Sequence, residues 1–170
     1  CCNMKIAITD ANIFIDLIKL QWLGYLFCID IEIYTTLEVI NELIDDQLER
    51  VTIFIQSRQL NIYSFTSSEL EQIMQMTAPA SLTMQDKSVV YLAKNIHAGV
   101  LSGDNPLRKF CAKQNLEVKG IIWLFDQFLE LQLIDCGVAI QKMNELLSFN
   151  NRLPVHDCNE RLRQWKEIAE

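Results

Sequence analysis

The chain alternates short apolar runs with segments whose apolar residues return every three or four positions. Residues 5–9, KIAIT, hold Ile6, Ala7 and Ile8 in an unbroken run that predicts a buried strand. Directly after Asp10, the residues Ile13, Phe14, Leu17 and Ile18 fall at helical spacing and predict a helix over about 12–20. IEIYTT (31–36) reads as a second strand, with Thr36 placed to cap a helix over LEVINELIDD (37–46). A further helix over 47–58 leads to the strand NIYSF (61–65). TSSELEQIMQM opens on capping residues and continues with helical periodicity, and SLTMQDKSVVYLAKNIH predicts another helix from about residue 83. GVLSG (99–103) is strand-like, and NPLRKFCAKQN puts Pro106 in a first helical turn, where its missing N–H costs little. A short strand at 116–118 precedes a long apolar helix over 120–134.

Strands alternating with helices predict an α/β fold with a parallel sheet covered on both faces. Beyond residue 134 the pattern is purely helical: GVAIQKMNELLSF, a break at NNRLP marked by Pro154, and a final helix from about 156. Residues 1–134 are therefore expected to form the main domain, with 135–170 as a helical extension packed on it. Trp165, in the last helix, is expected to dock on the body. No internal repeat or low-complexity linker interrupts this organisation.

Composition narrows the function classes. The 170 residues are half hydrophobic, which suits one compact core. No apolar run reaches the roughly 18 residues of a membrane span, and the start lacks a basic, then apolar, secretion signal. A cytoplasmic location without membrane contact is expected. Met4 is a candidate natural start, with Cys1, Cys2 and Asn3 a leftover ahead of it. The six cysteines include no CxxC pair, and His97 and His156 sit near no cysteine cluster, so free thiols are expected rather than a zinc site. Net charge is −7: nine acids face only Lys5 and Lys19 in residues 1–49, while thirteen acids balance thirteen bases thereafter. Such a chain neutralises few phosphates by itself. A cation bound among its carboxylates, or a basic partner, changes that balance locally.

Ligands of parallel sheets gather at the carboxyl ends of the strands. Asp10 and Asp104 each directly follow an apolar strand, Glu42 falls in the helix expected after the second strand, and Asp86 opens the helix QDKSVVYLA. Each has a plain structural reading. Asp10 and Asp104 suit helix caps, worth about 0.5–2 kcal/mol apiece; Glu42 suits surface charge; Asp86 suits its helix dipole. Together, the four suit a cation that favours oxygen ligands, such as Mg²⁺ or Mn²⁺. Phosphoryl transfer to water needs such a cation.

ITDANIFIDL, VINEL, QDKSVVYLA and VLSGDNPLRKFCAKQNLEVKG, in this order over about residues 5–134, resemble the ordered motifs of PIN-domain ribonucleases. The resemblance implies a three-layer α/β/α sandwich around a central parallel sheet. It also implies hydrolysis of RNA with Mg²⁺ or Mn²⁺ to a 5′-phosphate product. It makes Asp10, Glu42, Asp86 and Asp104 the catalytic acidic metal cluster. Asn12 matches the small polar position after the first Asp, and Ser102 the hydroxyl position that orients a carboxylate or water. Glu38, one helical turn from Glu42, is set to share its face, though the NEL match favours Glu42 as the ligand. Asp126 suits surface charge better than an outer place in the cluster. Arg108, Lys109 and Lys113 follow Asp104 on one helix, either to meet the RNA backbone or as an ordinary solvated face.

Many members of that family are toxin halves of bacterial toxin–antitoxin pairs, which implies an RNA substrate and a small antitoxin partner. The tail NNRLPVHDCNERLRQWKE exceeds the minimal domain and is a candidate for covering a sheet edge, homodimerisation or partner recognition. The main alternative is a catalytically silent PIN-like module that binds RNA or a protein. A haloacid-dehalogenase-type phosphatase wants Asp-x-Asp after strand one, where this chain has Asp10-Ala11-Asn12. A phospho-receiver lacks its acid pair here.

Overall fold

The computed structural model describes residues 4–169, so the reading of Cys1, Cys2 and Asn3 as a leftover lies outside the described residues. Five strands, β1 (Ile6–Thr9), β2 (Glu32–Thr36), β3 (Leu60–Tyr63), β4 (Gly99–Leu101) and β5 (Val118–Lys119), form one sheet in the order β3-β2-β1-β4-β5. Every pairing is parallel. Ala7, Ile8, Ile33, Val100 and Leu101 are buried, which accounts for the unbroken apolar runs: strands covered on both faces have no solvent side to mark with polar residues.

The helices are α1 (Ala11–Leu20), α2 (Leu23–Leu26), α3 (Leu37–Ile40), α4 (Asp45–Gln56), α5 (Ser67–Gln75), α6 (Met84–Asn95), α7 (Asn105–Lys113), α8 (Ile121–Glu130), α9 (Cys136–Phe149) and α10 (Val155–Ala169). α6 lies across β1, β2 and β4, while α1 packs on α4 and α9. Right-handed crossovers put α1 and α4 on one face and α6 and α7 on the other. The architecture is the expected sandwich of helices around a central parallel sheet.

The chain builds β1, β2 and β3 towards one edge and then returns to lay β4 and β5 on the other side of β1. The order therefore reverses between β1 and β4. Thr9 pairs with Leu101 across that junction, and Asp10 N donates to Leu101 O at 3.1 Å. The residues that follow these two strands are thus forced side by side at the switch point.

Two expected helices end early. The helix expected over 37–46 stops at Ile40, and Glu42 lies in a turn rather than on a helix. Glu42 N and Leu43 N donate three residues back, to Val39 O and Ile40 O, which tightens the chain and tucks Leu43 into the core. Asp45 and Asp46 then open α4, where acidic groups suit the helix dipole. The helix expected over 120–134 stops at Glu130, because Gln132 takes a left-handed conformation (φ 56°) that reverses the chain and sends Ile134 inward.

The last two helices pack on each other, and α9 meets both α1 and α8. Ala139, Met143, Leu146, Cys158, Leu162 and Trp165 join the same buried cluster as the sheet. Trp165 is 3% exposed and stacks on Phe125 with ring centroids 5.7 Å apart. Trp22 meets the edge of the same Phe125 ring at 4.8 Å. The four described cysteines, Cys28, Cys111, Cys136 and Cys158, are free thiols. Among the described residues, no helix is long and apolar enough to cross a membrane.

We propose that residues 135–170 fold as one unit with 1–134. Trp165→Ala is then expected to cost about 3–5 kcal/mol within a single urea transition. A negligible cost, or a separate early transition for the extension, contradicts this.

Candidate active site

The buried polar residues are Thr9, Asp10, Asp16, Thr35, Thr36, Ser88 and Ser102. All but Asp16 lie at the carboxyl ends of β1, β2 and β4, or on the turn of α6 that faces them. Burying such groups costs free energy unless each finds a partner. Thr35 Oγ1 donates to Thr9 O at 2.9 Å, and Ser88 Oγ reaches Gln85 O at 2.7 Å. Thr36 Oγ1 shares a 2.7 Å hydrogen bond with Ser88 Oγ, tying α6 to β2, and also accepts from Val39 N.

Asp10 caps α1: Oδ1 accepts from Ile13 N at 3.2 Å, and Oδ2 accepts from Ser102 Oγ. Asp10 is 4% exposed. Burial above all pushes its carboxyl from 3.8 up to about 7, and the charge of Asp86 adds to the rise; bonds from Ser102, Ile13 and Asn12 oppose it. Ser102 Oγ also accepts from Asp104 N at 3.0 Å, so one hydroxyl links Asp10 to the loop carrying the last acid. Asp104 caps α7, its Oδ2 accepting from Leu107 N at 2.9 Å. Asp86 closes a capping box on α6, its Oδ2 accepting from Thr83 N and Thr83 Oγ1 at 2.8 and 2.9 Å. The cap readings of Asp10 and Asp104 therefore hold, and Asp86 adds a third.

Asp10, Asn12, Glu42, Gln85, Asp86 and Asp104 nevertheless line one cleft of about 420 Å³. Glu42 enters it from the turn after α3, its carboxyl raised by burial and by Asp86 and lowered by Arg152. The acids face a common space without closing on one point. Among the described residues, no three carboxylate, histidine or cysteine side chains form a ready metal-ligand cluster. The caps hold one oxygen each of Asp86 and Asp104 against their own helices. The Oδ1 atoms of both remain outside those bonds.

Arg152 also lines the cleft, and nothing in the residue pattern singled it out. It comes from the NNRLP break between α9 and α10, and its Nη1 donates to Asn12 Oδ1 at 3.0 Å. Its only mark in the sequence is a single base in a polar break. Other candidates sit elsewhere. Glu38 does not line the cleft, and its Oε2 is buried without a hydrogen-bond partner. Asp126 pairs with Arg161 of α10 at 2.9 Å and lines a separate cavity of about 450 Å³. Arg108 lines that second cavity too, and its Nη1 donates to Ser102 O at 3.0 Å, bracing the serine from behind. Gly120 permits this, since a Cβ there would stand 3.0 Å from Arg108 Nη1. Lys109 and Lys113 are exposed on α7 and do not line the cleft.

The family model DUF3368, described as a PIN domain, matches residues 6–167. The chain belongs to the PIN-domain family. The match runs through α9 and most of α10, so all but the last three residues of the extension fall inside it. Among solved structures, the chain is similar to a PilT N-terminus domain protein from the hyperthermophilic archaeon Sulfolobus solfataricus P2 (12% identity, TM-score 0.48, covering 74% of this chain and 94% of that one). It is also similar to VapBC2 from Rickettsia felis bound to a promoter DNA fragment (17% identity, TM-score 0.41, covering 68% and 98%). No curated protein matches. PIN domains generally use divalent metals, and the donors of this PIN domain suit one: they are oxygens throughout, and burial, with the charge of Asp86 added, raises the Asp10 and Glu42 carboxyls.

Asp16, the remaining buried acid, does not line the cleft. Its Oδ2 accepts from Asn150 Nδ2 at 2.7 Å, pinning the start of the NNRLP break to α1. Burial pushes its carboxyl from 3.8 up to about 6, against the pull of Asn150, Lys19 and Arg152. Between those two values the folded protein keeps a proton that the unfolded chain has lost. Stability due to this group therefore falls as pH rises from about 4 to 6, and the cost persists above that. Asp16→Asn keeps an acceptor for Asn150 and is expected to stabilise the protein by on the order of 1–3 kcal/mol at pH 7. The gain should vanish below about pH 4 in urea titrations. An equal or lower stability at pH 7 contradicts the assignment.

Proposed function

We propose that this PIN domain is a divalent-metal-dependent endoribonuclease acting in the cytoplasm, the toxin-like member of a toxin–antitoxin pair. The observation that carries the nuclease reading is the buried carboxyl of Asp10, set at the β1/β4 switch point in one cleft with Glu42, Asp86 and Asp104. The toxin role and the small antitoxin partner rest on the ordered motifs of the chain.

When bound, Mg²⁺ or Mn²⁺ supplies charge neutralisation for the phosphate and acidifies the attacking water. Asp10, Asp86 and Asp104 would hold that cation. Ser102 keeps Asp10 oriented through its hydroxyl, and Arg108 keeps Ser102 in place through its carbonyl. Glu42 is the most exposed of the four acids and has a raised carboxyl, which suits it to accept the proton of the attacking water. The absence of a closed ligand cluster among the described residues favours one other reading, a catalytically silent module that binds RNA or a protein.

A mixed RNA pool incubated with the purified protein and Mn²⁺ or Mg²⁺ separates the two. We expect cleavage to 5′-phosphate ends, reduced at least about 100-fold in Asp10→Asn and Asp104→Asn and abolished by excess chelator. Cleavage that survives in both variants, or in chelator, sinks the carboxylate–metal reading. RNA binding without cleavage under any condition selects the silent module.

A further inference from the structure

Arg152 stands in a cleft lined by acids, yet among the described residues it forms no ion pair with any of them. Its one side-chain hydrogen bond goes to a neutral acceptor, the amide oxygen of Asn12. A cation whose task was to neutralise the carboxylates would sit on one. This guanidinium is instead held off them: its charge lowers the Glu42 and Asp16 carboxyls only through space, and among the described residues no hydrogen bond uses its Nε or Nη2.

The segment that carries it is fixed at both ends. Asn150 donates to buried Asp16 at 2.7 Å and accepts from Arg152 N at 3.0 Å through its own Oδ1. Leu153 is buried directly after Arg152, and Cys158, Leu162 and Trp165 then seat α10 on the body. The backbone at residue 152 is thus placed by contacts on either side, and only the side chain projects over the cleft. A placed guanidinium with a free edge is suited to two parallel hydrogen bonds with a phosphate, which lysine cannot reproduce.

We propose that Arg152 binds an RNA phosphate at the mouth of the acidic cleft, which makes the break between α9 and α10 part of the substrate-binding site. This rests on the nuclease reading for the identity of the ligand. It also accounts for how an acidic chain meets a polyanion: the bases of α7 face elsewhere, and the cation at the cleft comes from the other end of the sequence.

The test uses the full chain and a fluorescently labelled single-stranded oligoribonucleotide, with anisotropy read in Ca²⁺ over a range of salt concentrations and cleavage read separately in Mn²⁺. Arg152→Gln keeps a donor for Asn12 and removes the charge; Arg152→Lys keeps the charge and removes the fork. Arg152→Gln is expected to weaken binding about 10-fold and to flatten the slope of log affinity against log salt by about 0.7, the loss of one phosphate contact on a single strand. Arg152→Lys should fall between wild type and Arg152→Gln, with Mn²⁺ affinity not weakened and the thermal midpoint unchanged in both variants.

Equal affinity and slope in Arg152→Gln overturn the proposal, as does tighter RNA binding, which makes Arg152 a plug of the cleft. Weaker binding with an unchanged slope and a lowered thermal midpoint assigns it a structural role instead. If the wild type cleaves and Arg152→Gln binds RNA normally, only this proposal fails. If the wild type binds RNA without cleaving and Arg152→Gln loses the contact, only the nuclease reading fails. A wild type that neither binds nor cleaves RNA overturns both.

Discussion

The hydrogen bond from Ser102 Oγ to Asp10 Oδ2 joins the carboxyl ends of β1 and β4 at the point where the strand order reverses. Its existence depends on register. Thr9 lies opposite Leu101, so the next residue on each strand leaves the sheet beside the other. The same hydroxyl accepts from Asp104 N, and the carbonyl of the same serine accepts from Arg108. Ser102 therefore fixes the first acid, the last acid and the start of α7 together. A one-residue slip of β4 would turn this side chain to the opposite face and dissolve the site.

In the proposed nuclease, capping and cation binding are not rival roles for these acids. Asp10 and Asp104 are N-caps of α1 and α7, and Asp86 closes the first turn of α6. Three helices thus begin at one cleft, and the positive ends of their dipoles face the carboxylates. Cap bonds occupy one oxygen of Asp86 and one of Asp104, and the other oxygen of each takes no hydrogen bond among the described residues. The cost is burial first and repulsion second: desolvation raises the Asp10 and Glu42 carboxyls, the charge of Asp86 adds to both, and the arrangement lowers stability.

The alternation of elements is legible because parallel strands leave continuous apolar runs and the helices after β1, β2, β3 and β4 open on Asp or Thr. That is why Asp10 and Asp104 stood out at strand ends. What escaped depends on long-range contacts. LEVINELIDD has helical periodicity throughout, but burial of Leu43 tightens the chain after Ile40 and leaves Glu42 in a turn. Arg108, Lys109 and Lys113 look alike on a helix, yet Arg108 alone turns inward, because Ser102 O and the bare Cα of Gly120 lie within its reach. Arg152 meets Asn12 across most of the chain, a proximity set by how α9 packs on α1 and α10 on α9. Local pattern carries no trace of such a pairing.

The central claim is that this cleft, with Asp10 at its floor, is built to receive a divalent cation. Calorimetric titration of the metal-free protein with Mn²⁺, wild type against Asp10→Asn, tests it most directly. The wild type should bind Mn²⁺ saturably and Asp10→Asn should not, with the variant still folded by circular dichroism. Mn²⁺ binding of equal strength in the two proteins, or none in the wild type, would contradict it.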